Sequence, residues 1–399
     1  MSNVDTKTSV GIDSSAEEFD RRLRDELLSR VDAIAPILAA DTAHANIETS
    51  LSPRVVSSLS DAELFGLFTS TRFGGLASGV RTASDVIAAV AGHCASSAWV
   101  LMIVGGSNLY TSRFSDQAQV DVFGANPAAR VGSVLSASDS LRQVDGGWMV
   151  NGSWGFSSGV LHDDWMILGG FDRAVLVPVA ELEIERTWDT VGMRGTGSHT
   201  SVAKDVFVPD HRSIPVMEMM GLAACANTGI PAGMRVAPVA AAAVTVSAVV
   251  YGIARSALEL VTRTAHKRGI TATVYQTQVD SQVFTANLGE CAVKIDSAGL
   301  LLADAADALD RAALAGQPPS LSELRKSRAM TAHAARLSLD AIDELMWISG
   351  ASAFANANPL AQKWKDANTA ARHALVSFPV GYETYGGALL GKDPVNFLL

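Results

Sequence analysis

The chain has 399 residues, 48% of them hydrophobic and 18% charged, enough apolar material for a large core in two or three subdomains. With 31 Lys and Arg against 41 Asp and Glu, the formal net charge is −10, which argues against a basic nucleic-acid stripe and against attraction to an anionic membrane surface. Three cysteines (Cys94, Cys225, Cys291) stand far apart in apolar company without a CxxC, the pattern of reduced core residues in a cytoplasmic protein.

Residues 1–16 are polar and lack the basic and apolar blocks of a secretion signal, so no leader is expected there. The next hundred residues follow a helical period. Phe19, Leu23, Leu27, Val31 and Ile34 recur at threes and fours, Ser60 is placed to cap a new helix, and Phe73-Gly74-Gly75 to end it. Residues 81–114 read as one or two long apolar helices. From about residue 129 to 215 the period falls to two. Asp145-Gly146-Gly147 predicts a hairpin, and residues 165–168, 174–178 and 206–209 read as further strands of a compact antiparallel β-domain. Long helices then return, near 239–267, 274–315 and 321–348, with a last one starting near Leu360. The first of these includes an uncharged stretch at 236–254, better suited to the centre of a bundle than to a membrane. The expected fold class is α+β, mostly α: an N-terminal helical domain (17–122), a middle β-domain (123–220) and a C-terminal four-helix bundle (221–399).

Two segments stand out chemically. Arg194-Gly195-Thr196-Gly197-Ser198 sets an arginine among glycines and hydroxyls before an apolar strand, a composition suited to holding an anionic group closely. Some forty residues earlier lie Asn151-Gly152-Ser153-Trp154 and Phe156-Ser157-Ser158-Gly159. Histidines elsewhere read as structural: His93 within an apolar helix, His199 and His211 beside strands. His162-Asp163-Asp164 lacks a second ligand pair and reads as a surface loop, so no metal is expected.

The paired β segments, in a helical–β–helical order that spans nearly the whole chain, resemble the acyl-CoA dehydrogenase fold, in which they face a flavin. Within that fold, Trp364-Lys365-Asp366 followed by His373, nine residues after the tryptophan, is similar to the C-terminal motif of two-component flavin-dependent monooxygenases. The likeness is strongest to oxygenases of the secosteroid and p-hydroxyphenylacetate hydroxylase kind.

That resemblance implies an oxygenase component that takes reduced FMN or FAD from a separate NAD(P)H:flavin reductase and reacts with O₂ through a C4a-hydroperoxide. It would hydroxylate a small or medium aromatic: phenolic, indolic or heteroaromatic. Ser158 would sit near flavin N5, with Ser157 as the alternative should the alignment slip by one. His373 would donate a proton to the peroxide, its ordinary pKa lying near working pH. Trp154 or Phe156 would wall the ring, and Arg194, Thr196 and Ser198 would follow the flavin edge or its phosphate arm. Phenol-hydroxylating relatives carry a substrate-facing histidine where this chain has Ser107, Asn108 and Tyr110, which become the candidate substrate contacts. A homotetramer is the habit of the fold, and no Gly-x-Gly-x-x-Gly follows a strand, so reducing power must come from outside. Two other readings remain: an acyl-CoA dehydrogenase with Glu383 as a displaced base, and a non-catalytic flavin-binding protein.

Overall fold

Leu27, Val31, Leu38 and Ala45 lie on one face of a helix, and all four are essentially fully buried. They belong to α1 (Ser14–Glu48) of the computed structural model, which describes residues 14–135 and 140–395; the reading made for residues 1–13 lies outside them. Helix α2 (Pro53–Asp61) begins earlier than the sequence suggested. Ser52 accepts the Val55 N–H and Pro53 pre-sets the first turn, so Ser60 falls at the end of the helix instead of capping the next one. The apolar stretch that follows is two helices, α3 (Val80–His93) and α4 (Ala95–Thr111), and α5 (Asp116–Phe123) closes the N-terminal part.

Among the described residues eight strands come next: β1 (Val131–Val134), β2 (Leu141–Val144), β3 (Gly147–Ser157), β4 (Trp165–Gly169), β5 (Arg173–Pro178), β6 (Glu183–Glu185), β7 (His199–Pro209) and β8 (Ser213–Pro215). They form two four-stranded sheets, ordered β1-β4-β5-β8 and β2-β3-β7-β6. The predicted hairpin joins β2 to β3, with Gly146 in the left-handed region at φ 73°. One pairing departs from the antiparallel expectation: β1 and β4 run parallel, because the chain visits the other sheet between them. Val150, Trp154, Met166, Leu168, Val175 and Val208 fill the space between the sheets.

After a short helix α6 (Val216–Met219), the C-terminal part packs α7 (Pro238–Ala265), α8 (Gln282–Ala315) and α9 (Leu321–Ser349) side by side. The apolar α7 is long enough to cross a membrane, but 78% of its most apolar window is buried inside the fold. Helix α8 starts at Gln282, where Ser281 caps it, so the preceding residues from 274 are a loop with one short 3-10 turn at Gln278–Asp280. The single last helix expected from Leu360 is two, α10 (Pro359–Ala370) and α11 (Phe378–Leu389), with a turn at His373 between them. That break places the histidine.

The N-terminus of α3 shows how the N-terminal and C-terminal helices are tied. Asp20 of α1 accepts from the Gly79 N–H and the Thr82 hydroxyl, while Asp310 of α8 accepts from the N–H groups of Val80 and Arg81. Burial, with Asp20 and Asp307 nearby, pushes Asp310 up to about 7. The folded chain therefore keeps a proton that the unfolded chain releases in the ordinary carboxylate range. Asp310's contribution to stability should therefore fall as pH rises from about 4 to about 7, by at most ~1.4 kcal/mol per pH unit. Urea unfolding of the wild type and Asp310→Asn across that window checks this: the stability of the wild type relative to the variant should decline as pH rises, and a constant difference would contradict it.

Candidate active site

The site begins with a defect in a strand. The β3–β7 register breaks between Trp154 and Ser157, and Phe156 sits at φ 62°, in a region bulky residues seldom occupy. The bulge resets which side chains face in. Trp154 is fully buried between the sheets and donates its indole N–H to the Gly169 carbonyl at 2.9 Å. It is a core residue with no face left for a ligand, which corrects its assignment as a wall of the flavin ring. Phe156 is turned outward, 75% exposed, with its ring edge-on to Trp188 at 5.7 Å. Ser157 is fully buried and spends its hydroxyl on the Trp154 carbonyl at 3.0 Å while accepting from Ser201 at 2.8 Å. Of the two serines, Ser158 alone enters the network that follows.

Ser158 Oγ accepts the indole N–H of Trp99 at 3.1 Å and lies 2.7 Å from Ser198 Oγ. Ser198 lies 2.7 Å from Thr196 Oγ1, which donates to the Met193 carbonyl at 2.8 Å. The loop carrying Met193 is fixed from α10. Asp366 accepts the Met193 N–H at 2.6 Å and the Gln362 amide at 2.9 Å, and burial pushes its carboxyl up to about 6. At Gly192 a Cβ would come within 2.2 Å of the Lys365 carbonyl, so only glycine lets the loop meet the helix. Gly195 is required for a different reason than ligand approach: its Cβ would stand 2.5 Å from Ala45 of α1. Arg194, expected to face a flavin edge or phosphate, has its guanidinium engaged by the Asn46 and Thr190 carbonyls and the Asp189 carboxylate. It braces the loop against α1.

His373 stands just past the end of α10. Its ring meets that of Trp99 edge-on, with centroids 5.6 Å apart, so Trp99 touches both Ser158 and His373. Burial, with the Arg328 guanidinium nearby, pushes the imidazole down to about 4. His373 is therefore neutral at working pH, whereas the sequence suggested a group titrating there. Its tautomer follows from geometry. Nδ1 accepts the Leu375 N–H at 3.2 Å, which leaves the ring proton on Nε2. The imidazole offers a fixed hydrogen-bond donor.

On α4, the Ser107 hydroxyl lies between the Ile103 carbonyl (2.7 Å) and Ser133 of β1 (2.8 Å). Asn108 donates its amide to the Phe65 carbonyl and Thr69, leaving a buried Oδ1 without a partner. Tyr110 is buried, which pushes its phenol up to about 12 and keeps it protonated. Glu383, the alternative base, lies exposed on α11. His162 is half-buried and within 3.0 Å of Ser50 Oγ, and no metal-binding cluster occurs among the described residues. Sequence reasoning missed Trp99 as a link and Asp366 as the clamp of the loop. The Lys365-Asp366 pair was visible, but its partner at Met193 is 173 residues away.

Residues 244–378 match the family model described as acyl-CoA dehydrogenase, C-terminal domain. The chain is 32% identical to the oxygenase subunit HsaA of a flavin-dependent monooxygenase from Mycobacterium tuberculosis, over 94% of this chain and 98% of that protein. It is 25% identical to the oxygenase component of an FADH₂-dependent resorcinol hydroxylase from a Rhizobium species, over 92% and 95%. Among solved structures, XiaF from a Streptomyces species in complex with FADH₂ and glycerol superposes with a TM-score of 0.95 at 39% identity, covering 97% of this chain and all of that one.

If Asp366 holds the loop, Asp366→Ala leaves the buried Met193 N–H without an acceptor and should cost about 1–3 kcal/mol. Asp366→Asn, which keeps Oδ1, should restore most of the loss. Urea midpoints of the two variants measure this; equal destabilisation would show that the amide contact is not what matters.

Proposed function

Because the chain belongs to the oxygenase subunits of flavin-dependent monooxygenases, we propose that Ser158 and His373 are the two groups that face the reacting edge of a bound reduced flavin. The enzyme is the oxygenase component of a two-component monooxygenase. It takes flavin reduced by a separate reductase and uses O₂ to oxygenate an aromatic substrate. We assign the substrate to small or medium phenolic, indolic or heteroaromatic compounds, and the reductase to the NAD(P)H-dependent kind. Bound reduced flavin, FMN or FAD, supplies the electrons that activate O₂.

The residues fit such a group. Exposed Phe156 beside Trp188 offers an apolar wall to a flat ring. Ser158 retains a free lone pair, and His373 a free Nε2–H, for polar atoms at the ring's edge. The protein's part is to hold one acceptor and one donor in place while excluding water from the reaction. Being neutral, His373 contributes by donating a hydrogen bond, not as an imidazolium acid. Thr196 and Ser198 set the serine's orientation, and Arg194 the loop's. Tyr110 is assigned to the substrate side, where its protonated phenol serves as a donor to a polar handle, while Ser107 and Asn108, buried and engaged by Ile103, Ser133, Phe65 and Thr69, hold α4 behind it. The single observation that carries the reading is Trp99, whose one indole contacts both Ser158 and His373.

We further assign the protein to the cytoplasm, free of membrane and nucleic acid, and to a homotetramer. Exposed Val283, Val293 and Leu300 along α8 support subunit packing, and the charge of −10 disfavours nucleic acid. We also propose domains at 17–122, 123–220 and 221–399, a division supported by the change from helices to strands after α5 and back to long helices from α7.

The test mixes anaerobic protein with reduced FMN, admits O₂, and follows the return of oxidised-flavin absorbance and the release of H₂O₂. The wild type should reoxidise flavin far more slowly than free solution does. His373→Ala and Ser158→Ala should each speed the return about tenfold, the equivalent of one lost hydrogen bond to a polar partner. Reoxidation at the free rate in the wild type would overturn the reading.

A further inference from the structure

The hydroxyl network beneath Ser158 has only one direction. Two oxygens at 2.7–2.8 Å need a proton between them, and there are three such contacts: Ser158 to Ser198, Ser198 to Thr196, and Thr196 to the Met193 carbonyl. Three hydroxyl protons are available, one on each side chain, and the carbonyl has none to give. The last contact must therefore use the Thr196 proton. That forces Ser198 to donate to Thr196, and Ser158 to donate to Ser198. At the other end, the Trp99 N–H fills one lone pair of Ser158 at 3.1 Å. Ser158 is left with one lone pair and no proton to offer.

We infer that Thr196 and Ser198 are positioning residues: their one-way relay holds Ser158 as a pure hydrogen-bond acceptor toward flavin and so sets how strongly the site favours the reduced over the oxidised form. The inference rests on the flavin reading above. The chemistry is direct. N5 of reduced flavin carries a proton and donates, matching the free lone pair of Ser158. N5 of oxidised flavin is an acceptor and would meet another acceptor. A separate reductase delivers its product into a solution that also holds oxidised flavin, and an acceptor-only serine rejects the spent form without any titrating group. Thr196 and Ser198 are both buried, so water does not compete for the relay's protons.

Thr196→Val tests this away from the flavin-facing atom. It removes the end of the relay, so the Ser198 proton turns back to Ser158, and Ser158 can then donate outward. The Met193 carbonyl is not orphaned, because it still accepts from Trp188 Nε1 at 2.9 Å and from the backbone N–H of residue 196 at 3.2 Å. The experiment measures dissociation constants by equilibrium titration, without turnover, for oxidised FMN and for dithionite-reduced FMN under argon, with FAD in parallel. The wild type should bind the reduced form at least about tenfold more tightly, the equivalent of one hydrogen bond exchanged for a repulsion. In Thr196→Val the ratio should fall about tenfold, mainly through tighter binding of oxidised flavin. Ser198→Ala, which also frees the Ser158 proton, should move the ratio the same way and serves if the first variant fails to fold. A wild-type ratio near one, or variants that keep the wild-type ratio, would overturn the inference and leave the flavin site standing. No binding of either flavin by the wild type would overturn both.

Discussion

The peptide groups of Met193 are the point on which the site depends. Its N–H is held by Asp366 of α10, and its carbonyl collects the Thr196 hydroxyl, the Trp188 indole and the Thr196 N–H. The residue itself sits in the left-handed region at φ 55°. A residue in that conformation persists only when its surroundings over-determine it, and here four hydrogen bonds do so. Through this one turn the C-terminal helices, the β-domain and, by way of Trp99, the N-terminal helices are brought to a common place.

What they assemble is a site whose polarity is set by geometry instead of by titration. The His373 imidazole is pushed far enough down to be neutral, and the Tyr110 phenol far enough up to stay protonated. Each hydroxyl near Ser158 has its proton committed. Donors and acceptors that need no reorganisation are worth most where water is excluded, because nothing competes with them. On this account a neutral histidine and an acceptor serine, flanking one tryptophan, are the chain's contribution to handling a reduced flavin and oxygen.

Much of this was legible in the sequence, and the failures have physical causes. The three regimes of periodicity and the Asp145-Gly146-Gly147 hairpin are local patterns, and they mark real elements. Trp154 took its ligand role from resemblance alone, whereas it shares the core-facing side of β3 with Val150; the bulge after it turns Phe156 out and Ser157 in, and a sequence does not show where a strand slips. Arg194 and Gly195 looked like ligand residues because composition cannot tell a loop that meets a ligand from one that meets α1. Asp366 and Trp99 were missed as site residues because their partners lie 173 and 59 residues away. His373 was singled out by its spacing, and its protonation state depends on burial and on Arg328, which only the fold reveals.

The most direct test of the account is to see the protons. Neutron diffraction from deuterated crystals would locate deuterium on Ser158, Ser198, Thr196 and His373. The account predicts each hydroxyl deuteron pointing along the relay toward the Met193 carbonyl, with His373 deuterated on Nε2 alone. A Ser158 deuteron turned away from Ser198, or a His373 ring deuterated on Nδ1, would contradict it.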